Sequence, residues 1–236
     1  VVEGDDGLFT VDLRAPTASD FSDLGMTIKL EMYNFLSEAS FCGMVFDTEC
    51  FQAIADPVKM ICNFSWISRQ YLGSSEITKK CLLRAKALSY IYQYPFCPVI
   101  RELCLWALRM TPQITDRQIR RVLSHMKDEA TRAKLLNFTH PIKCGEIQVP
   151  TRLLMERVFH VSVASQLRIE GVLRNKNDFA SIQDQLFDFV PEIYFQDYNQ
   201  YCVDFAHSSS LIQTPHMDNG AWPMWGVLCN IKVPAS

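Results

Sequence analysis

Two adjacent carboxylates, Asp5 and Asp6, stand between Gly4 and Gly7 in a stretch, 1–12, otherwise rich in β-forming residues. In a strand, neighbouring side chains point to opposite faces, so adjacent aspartates converge only where a tight turn redirects one of them. The flanking glycines allow such a turn and let another group approach the backbone closely. Clustered carboxylates at a strand tip are hard oxygen donors suited to Mg2+ or Mn2+. Two such ions roughly 3.5–4 Å apart can activate a hydroxyl and stabilise a leaving pyrophosphate. The same tetrapeptide also has a plainer use, because Asp-Gly is a common hairpin turn.

Other chemistries find little support. Nine cysteines, an odd number with no C-x-x-C, point to reduced thiols in an intracellular compartment, most of them small buried hydrophobes. His140 lies near Cys144, and Cys97 near Cys104, but no second pair completes a zinc spacing. His160 and His207 read as structural residues. Neither a dinucleotide-binding glycine pattern nor a phosphate-binding P-loop occurs. Trp222, Pro223, Met224 and Trp225 read as a packing cluster.

The elements that must position Asp5 and Asp6 follow from periodicity. Residues 1–12 read as strand, tight turn, strand. A short helix after Pro16 ends at Gly25. Residues 26–33 alternate, with Ile28, Leu30 and Met32 on one face and Thr27, Lys29 and Glu31 on the other, and so predict a strand. Residues 40–47 predict another, in which Gly43 marks a bulge or a close backbone approach. After Asp56-Pro57 the period becomes helical. Residues 76–93 place Ile77, Cys81, Ala85, Leu88 and Tyr92 on one stripe and leave Lys79, Lys80, Arg84 and Lys86 off it. A helix over 98–110 turns Val99, Leu103, Trp106 and Met110 inward. Thr115 and Gln118 form a capping box for a helix starting at Asp116, with Ile119, Leu123 and Met126 inward and Arg117, Arg120 and Arg121 outward. Further helices are predicted near 127–138, 151–159, 162–175 and 178–189, with a loop at 139–150.

A chain of 236 residues, 48% hydrophobic and 21% charged, can bury a sizeable core and is not disordered throughout. No apolar run is long enough for a membrane-spanning helix, and the acidic first twenty residues do not read as a signal peptide. The net charge of −3 hides a strong pattern. Residues 1–58 carry two basic and eleven acidic side chains; 59–176 carry twenty basic and eight acidic; 177–236 carry one basic and seven acidic. A basic block of +12 between acidic ends predicts either a polyanion-binding surface or simply the solvated faces of helices.

The order of these features resembles the second half of an RNA-dependent RNA polymerase of the positive-strand RNA viruses, of the noda-like and tombus-like kind. VEGDDGLF resembles that family's motif C, LGMTIK at 24–29 its motif D and FCGMVF at 41–46 its motif E, the hairpin that grips the primer. DPVKMI (56–61), RAKALSYIYQYP (84–95) and TRLLMERVFHVSVASQLRIE (151–170) are similar, more loosely, to thumb segments. The resemblance hardly covers 176–236.

The resemblance implies an α+β fold: a partial right-hand polymerase with a few antiparallel palm strands followed by a mostly helical thumb. It divides the chain into the end of a palm (1–57), a helical thumb (58–190) and an irregular tail (191–236). Asp5 would be the principal metal-binding carboxylate and Asp6 the secondary one, for Mg2+ or Mn2+. Lys29 would be the lysine that protonates pyrophosphate. Phe41, Cys42 and Gly43 would contact the growing strand. Lys79, Lys80, Arg84, Lys86, Arg117, Arg120 and Arg121 would hold RNA phosphates. The implied partners are template and product RNA, ribonucleoside triphosphates and the N-terminal part of the same polymerase. The implied setting is a replication complex in the host cytoplasm. Motifs A, B and F of the family precede motif C, and only three residues precede Gly4, so this stretch alone is expected to be inactive. The alternative is a non-enzymatic helical module that binds RNA or protein, with an incidental Gly-Asp-Asp-Gly turn.

Overall fold

Glycine and a short loop decide the first contact in the chain. In the computed structural model, which describes residues 1–64, 71, 73–127, 129–136, 142–143, 145–179, 182 and 184–187, the N-terminal residues form a hairpin. Strand β1 (Val2–Glu3) pairs antiparallel with β2 (Asp6–Gly7), and Glu3 stands directly opposite Asp6. Gly4, at φ +62°, takes the first central position of the two-residue turn and Asp5 the second, the placement of glycine in a type II′ hairpin. Helix α1 (Ala18–Ser22) follows, capped by a reciprocal Thr17–Asp20 box. Gly25, at φ +77°, then turns the chain away.

The strand expected over 26–33 does not form. A strand exists only as a member of a ladder, and no described strand pairs with these residues. A second sheet, in the order β3-β4-β5, is built from β3 (Ser40–Phe41), β4 (Met44–Asp47) and β5 (Gln52–Ala55), all antiparallel. Gly43 is not a bulge. It shares with Cys42 the turn that joins β3 to β4, with φ values of +75° and +50°, and two positive central values are what a type I′ turn requires.

Seven helices longer than α1 complete the described fold: α2 (Pro57–Phe64), α3 (Glu76–Gln93), α4 (Ile100–Met110), α5 (Asp116–Leu123), α6 (Glu129–Leu135), α7 (Val149–Phe159) and α8 (Val163–Asn175). The architecture is α+β. Ser75, Thr115 and Ser162 cap α3, α5 and α8 through their hydroxyls, satisfying first-turn N–H groups that lack helical partners. Helix α7 starts at Val149 rather than after Pro150, since proline is tolerated in a first turn. Among the described residues of the helix expected over 178–189, a 3-10 turn forms at Gln185–Phe187 and no α-helix does. The tail from 191 lies outside the described residues, as does residue 138. None of the described helices is long and apolar enough to cross a membrane.

The main core gathers Val45 and Ile54 of the second sheet with Ile61, Leu83, Ile91, Leu103, Trp106, Met155, Ile169 and Leu173, so sheet and helices share one apolar interior across residue 57. A smaller cluster lies on the other side of α3, where Cys81, Leu82 and Ala85 meet Ile119, Leu123 and Met126. Helix α3 is thus buried on two faces. The single stripe expected for it fails at both ends: Ile77 and Tyr92 are exposed, while Leu82, Leu83, Ala87 and Ile91 are inside.

Two buried carboxylates tie distant segments together. Glu170 on α8 accepts a bidentate pair from Arg152 on α7, at 2.9 and 3.0 Å, and also the N–H of Val99 at 3.0 Å. Val99 has φ +65° and ψ −52°, and the Ile100 N–H reaches back to the Pro98 carbonyl at 2.7 Å. This is a tight γ-turn of positive φ, strained for a β-branched residue, and Glu170 holds it at the start of α4. Asp47, at the end of β4, accepts the Thr151 hydroxyl at 2.5 Å and the N–H groups of Glu49 and Cys50. Burial pushes the Asp47 carboxyl up, but these hydrogen bonds outweigh it and leave the group below the usual carboxylate range.

A depressed folded value means that Asp47 contributes stability above the unfolded value near 3.8, and that this contribution disappears as pH falls through the folded value. Thr151→Val keeps the shape and removes the donor. It is expected to cost about 1–3 kcal/mol in urea unfolding at pH 7, with the deficit shrinking below pH 3.8 as Asp47 becomes protonated.

Candidate functional site

The turn of the first hairpin and the β3–β4 turn lie against each other. The Cys42 thiol donates to Glu3 Oε2 at 3.7 Å and to Asp6 Oδ2 at 3.8 Å, across 39 and 36 residues of sequence. Glu3 and Asp6 project to one side because they close a two-residue loop from opposite strands. Asp5, at the apex, is exposed. Loss of hydration at this contact, followed by the negative charge of Glu3 and then of Asp6, raises the Cys42 thiol above its ordinary range. Cys42 is therefore a neutral donor wedged between carboxylates rather than a reactive thiolate.

The residues predicted to do chemistry are only partly assembled. Asp6 and Cys42 meet, and Gly43 completes the turn that carries Cys42. Phe41 is buried and packs inside the fold, so its ring is not offered at the surface. Lys29 is exposed and paired with Glu31 at 2.5 Å. That hydrogen bond, with the Glu31 charge, raises the lysine further above its ordinary range, the opposite of what a proton donor near neutrality needs. Among the described residues, no three histidine, cysteine, aspartate or glutamate side chains form a metal-holding group. Mg2+ takes a near-octahedral set of oxygens, so Asp5 and Asp6 do not by themselves fit the ion.

The basic candidates split into two sets. Three of those on α3 are engaged inside the fold. Lys79 is buried and pairs with Glu76 at 3.2 Å. Arg84 Nη1 donates to the carbonyls of Leu108 and Thr111 at 3.1 and 3.0 Å, closing the C-terminus of α4. Lys86 donates to the Asn63 carbonyl at 2.6 Å and lies over the Tyr90 ring, and burial lowers its ammonium to about 8. Lys80 is half-buried. Arg117, Arg120 and Arg121 are exposed along α5, whose other face is fixed by Ile119 and Leu123 in the smaller core. His125 and Lys127 extend this basic surface beyond the end of α5.

Sequence reasoning missed Glu3 and the structural use of Arg84 and Lys86. Glu3 was within reach, since a two-residue turn at Gly4-Asp5 places residues 3 and 6 opposite each other. The inward cations were not, since their acceptors are backbone carbonyls more than twenty residues away. No family model matches the chain, and no curated protein or solved structure matches it.

Because its thiol is raised, Cys42 is expected to react with iodoacetamide at pH 8 more slowly than an unstructured cysteine peptide, as read by mass mapping of residue 42. The Glu3→Gln/Asp6→Asn double variant should speed that reaction several-fold. An unchanged rate in the variant would mean that the two turns do not meet.

Proposed function

We propose that this chain is the palm-and-thumb portion of an RNA-dependent RNA polymerase of a positive-strand RNA virus, acting on template and product RNA with ribonucleoside triphosphates in a cytoplasmic replication complex. One observation carries the reading: the Gly-Asp-Asp-Gly hairpin packs its acidic side against the Cys42-Gly43 turn. In this reading those turns are motifs C and E, the first presenting carboxylates and the second steadying the strand end beside them. Asp5, exposed at the apex, is the principal carboxylate, and Asp6 divides its role between the site and the Cys42 thiol. A divalent ion there would polarise phosphate oxygens, and it needs oxygen ligands beyond these two side chains. Arg117, Arg120 and Arg121 are the phosphate-facing cations of the thumb. Lys79, Arg84 and Lys86 serve the fold.

A second reading is favoured by the use of Glu3 and Asp6 as acceptors for the Cys42 thiol, in an arrangement that among the described residues makes no group of three side chains able to hold a metal. It makes the chain a non-enzymatic helical module that binds RNA through α5, with the first hairpin as ordinary turn chemistry.

In a polymerase that contains this chain, Asp5→Asn is expected to abolish RNA synthesis, by at least about a hundredfold, while leaving RNA binding within about twofold in a filter assay. Synthesis that survives the change would sink the metal-ligand role and leave the second reading. Separately, RNA bound by this chain should be released as salt rises from about 50 to 200 mM, and Arg117→Ala/Arg121→Ala should weaken binding and flatten that salt dependence. Binding indifferent to salt would remove the role of α5.

A further inference from the structure

Residues 26–33 carry the alternation of a strand, and among the described residues no strand pairs with them. The segment runs without helix, turn or bend, and no residue in it has positive φ. Among the described residues, no backbone hydrogen bond involves residues 27–34. Side chains two apart touch along one edge: Lys29 and Tyr33 both reach the Glu31 carboxylate. That spacing is the signature of extended chain, in which residues i, i+2 and i+4 share a face. Ile28, Leu30 and Met32 alternate with them. Ile28 and Met32 are exposed, Met32 at 64%. The result is an extended segment with no backbone partner among the described residues and an apolar side on which Ile28 and Met32 are exposed and Leu30 half-buried, the kind of edge onto which another strand adds.

Charge selects the occupant. We propose that this segment pairs antiparallel with the same segment of a second copy of the chain, with the twofold axis through Leu30. In that register Lys29 stands opposite Glu31 of the second copy, and Glu31 opposite its Lys29, so two ion pairs form across the ladder. Ile28 meets Met32, Leu30 meets Leu30, and Thr27 meets Tyr33, all on matching faces. Every near alternative is worse. A parallel in-register pair sets lysine against lysine and glutamate against glutamate, and like charges directly opposite are destabilising. An antiparallel axis through Lys29 or through Glu31 opposes the identical charges at the axis. A shift by one residue puts the apolar set of one copy against the polar set of the other. A lone lysine on an edge usually discourages pairing. Here Glu31, two residues on, makes the edge complementary to itself. The contact is isologous and closed, so it yields a dimer and not a fibre. Two eight-residue strands fall below the roughly 1,200 Å2 of a stable interface, so the dimer forms in a concentration-dependent way. Residues 1–58 bring nine net negative charges per copy. Screening that repulsion makes dimers stronger at about 150 mM salt than at about 10 mM.

This inference stands apart from the polymerase reading. Sedimentation equilibrium of the full 236-residue chain tests it, with thermal melts confirming that the variants fold. The unmodified chain should show a monomer–dimer equilibrium. Lys29→Glu and Glu31→Lys should each weaken it about tenfold, since each creates two like-charge oppositions. The double variant Lys29→Glu/Glu31→Lys should restore it. A chain that stays monomeric at every concentration overturns the proposal and leaves the segment for a strand of different sequence. A dimer unmoved by either single swap, or not rescued by the double swap, overturns the register and with it the proposal.

Discussion

Helix α3 is the constraint on which the rest of the described fold depends. It is buried on two sides, with Leu83, Ala87 and Ile91 in the main core and Cys81, Leu82 and Ala85 in the smaller one. An 18-residue helix in that position cannot keep all its cations in water. Arg84 turns to the carbonyl oxygens of Leu108 and Thr111 and so closes the end of α4, whose last carbonyls have no helical partners, and Lys86 turns to the Asn63 carbonyl of α2. The same packing holds α5 with its arginines outward. The positive charge of the middle of the chain is thereby sorted into a structural share and a surface share.

A second set of ties joins the sheet to α7, and α7 and α8 to the start of α4. Asp47 reaches Thr151 across 104 residues, and Glu170 gathers Arg152 and the Val99 N–H across 18 and 71. Each is a buried carboxylate whose acceptor capacity is met, and an unmet one would cost several kcal/mol. The Asp47–Thr151 tie holds β4 to α7, and through β4 the Cys42-Gly43 turn that meets the acidic hairpin. The candidate site is therefore held on one side by the core, while the aspartate hairpin on the other side rests on exposed contacts.

Much of the local structure was legible in the sequence. The turn at Gly4, the Thr115–Gln118 box and the helices from Pro57 to Asn175 follow from glycine conformational freedom, capping chemistry and period, and these are local properties, whereas the single bulged strand expected over 40–47 is two strands joined by a turn at Cys42-Gly43. The candidate site was half legible. Asp6 and the Cys42 turn were named from the order of residues and do meet, whereas Lys29 found Glu31, its neighbour on the same extended face. The strand expected over 26–33 does not form, because an alternating pattern does not supply a partner.

The sequence by itself determined the turn chemistry, the helix starts and the segregation of charge, because each depends on residues within a few positions of one another. Only the tertiary structure decided which cations reach solvent, that α3 has two buried faces, that Val99 is held in a strained turn by Glu170, and that Cys42 sits between Glu3 and Asp6. Those outcomes depend on groups tens of residues apart competing for burial and for hydrogen-bond acceptors, and no local window contains both competitors.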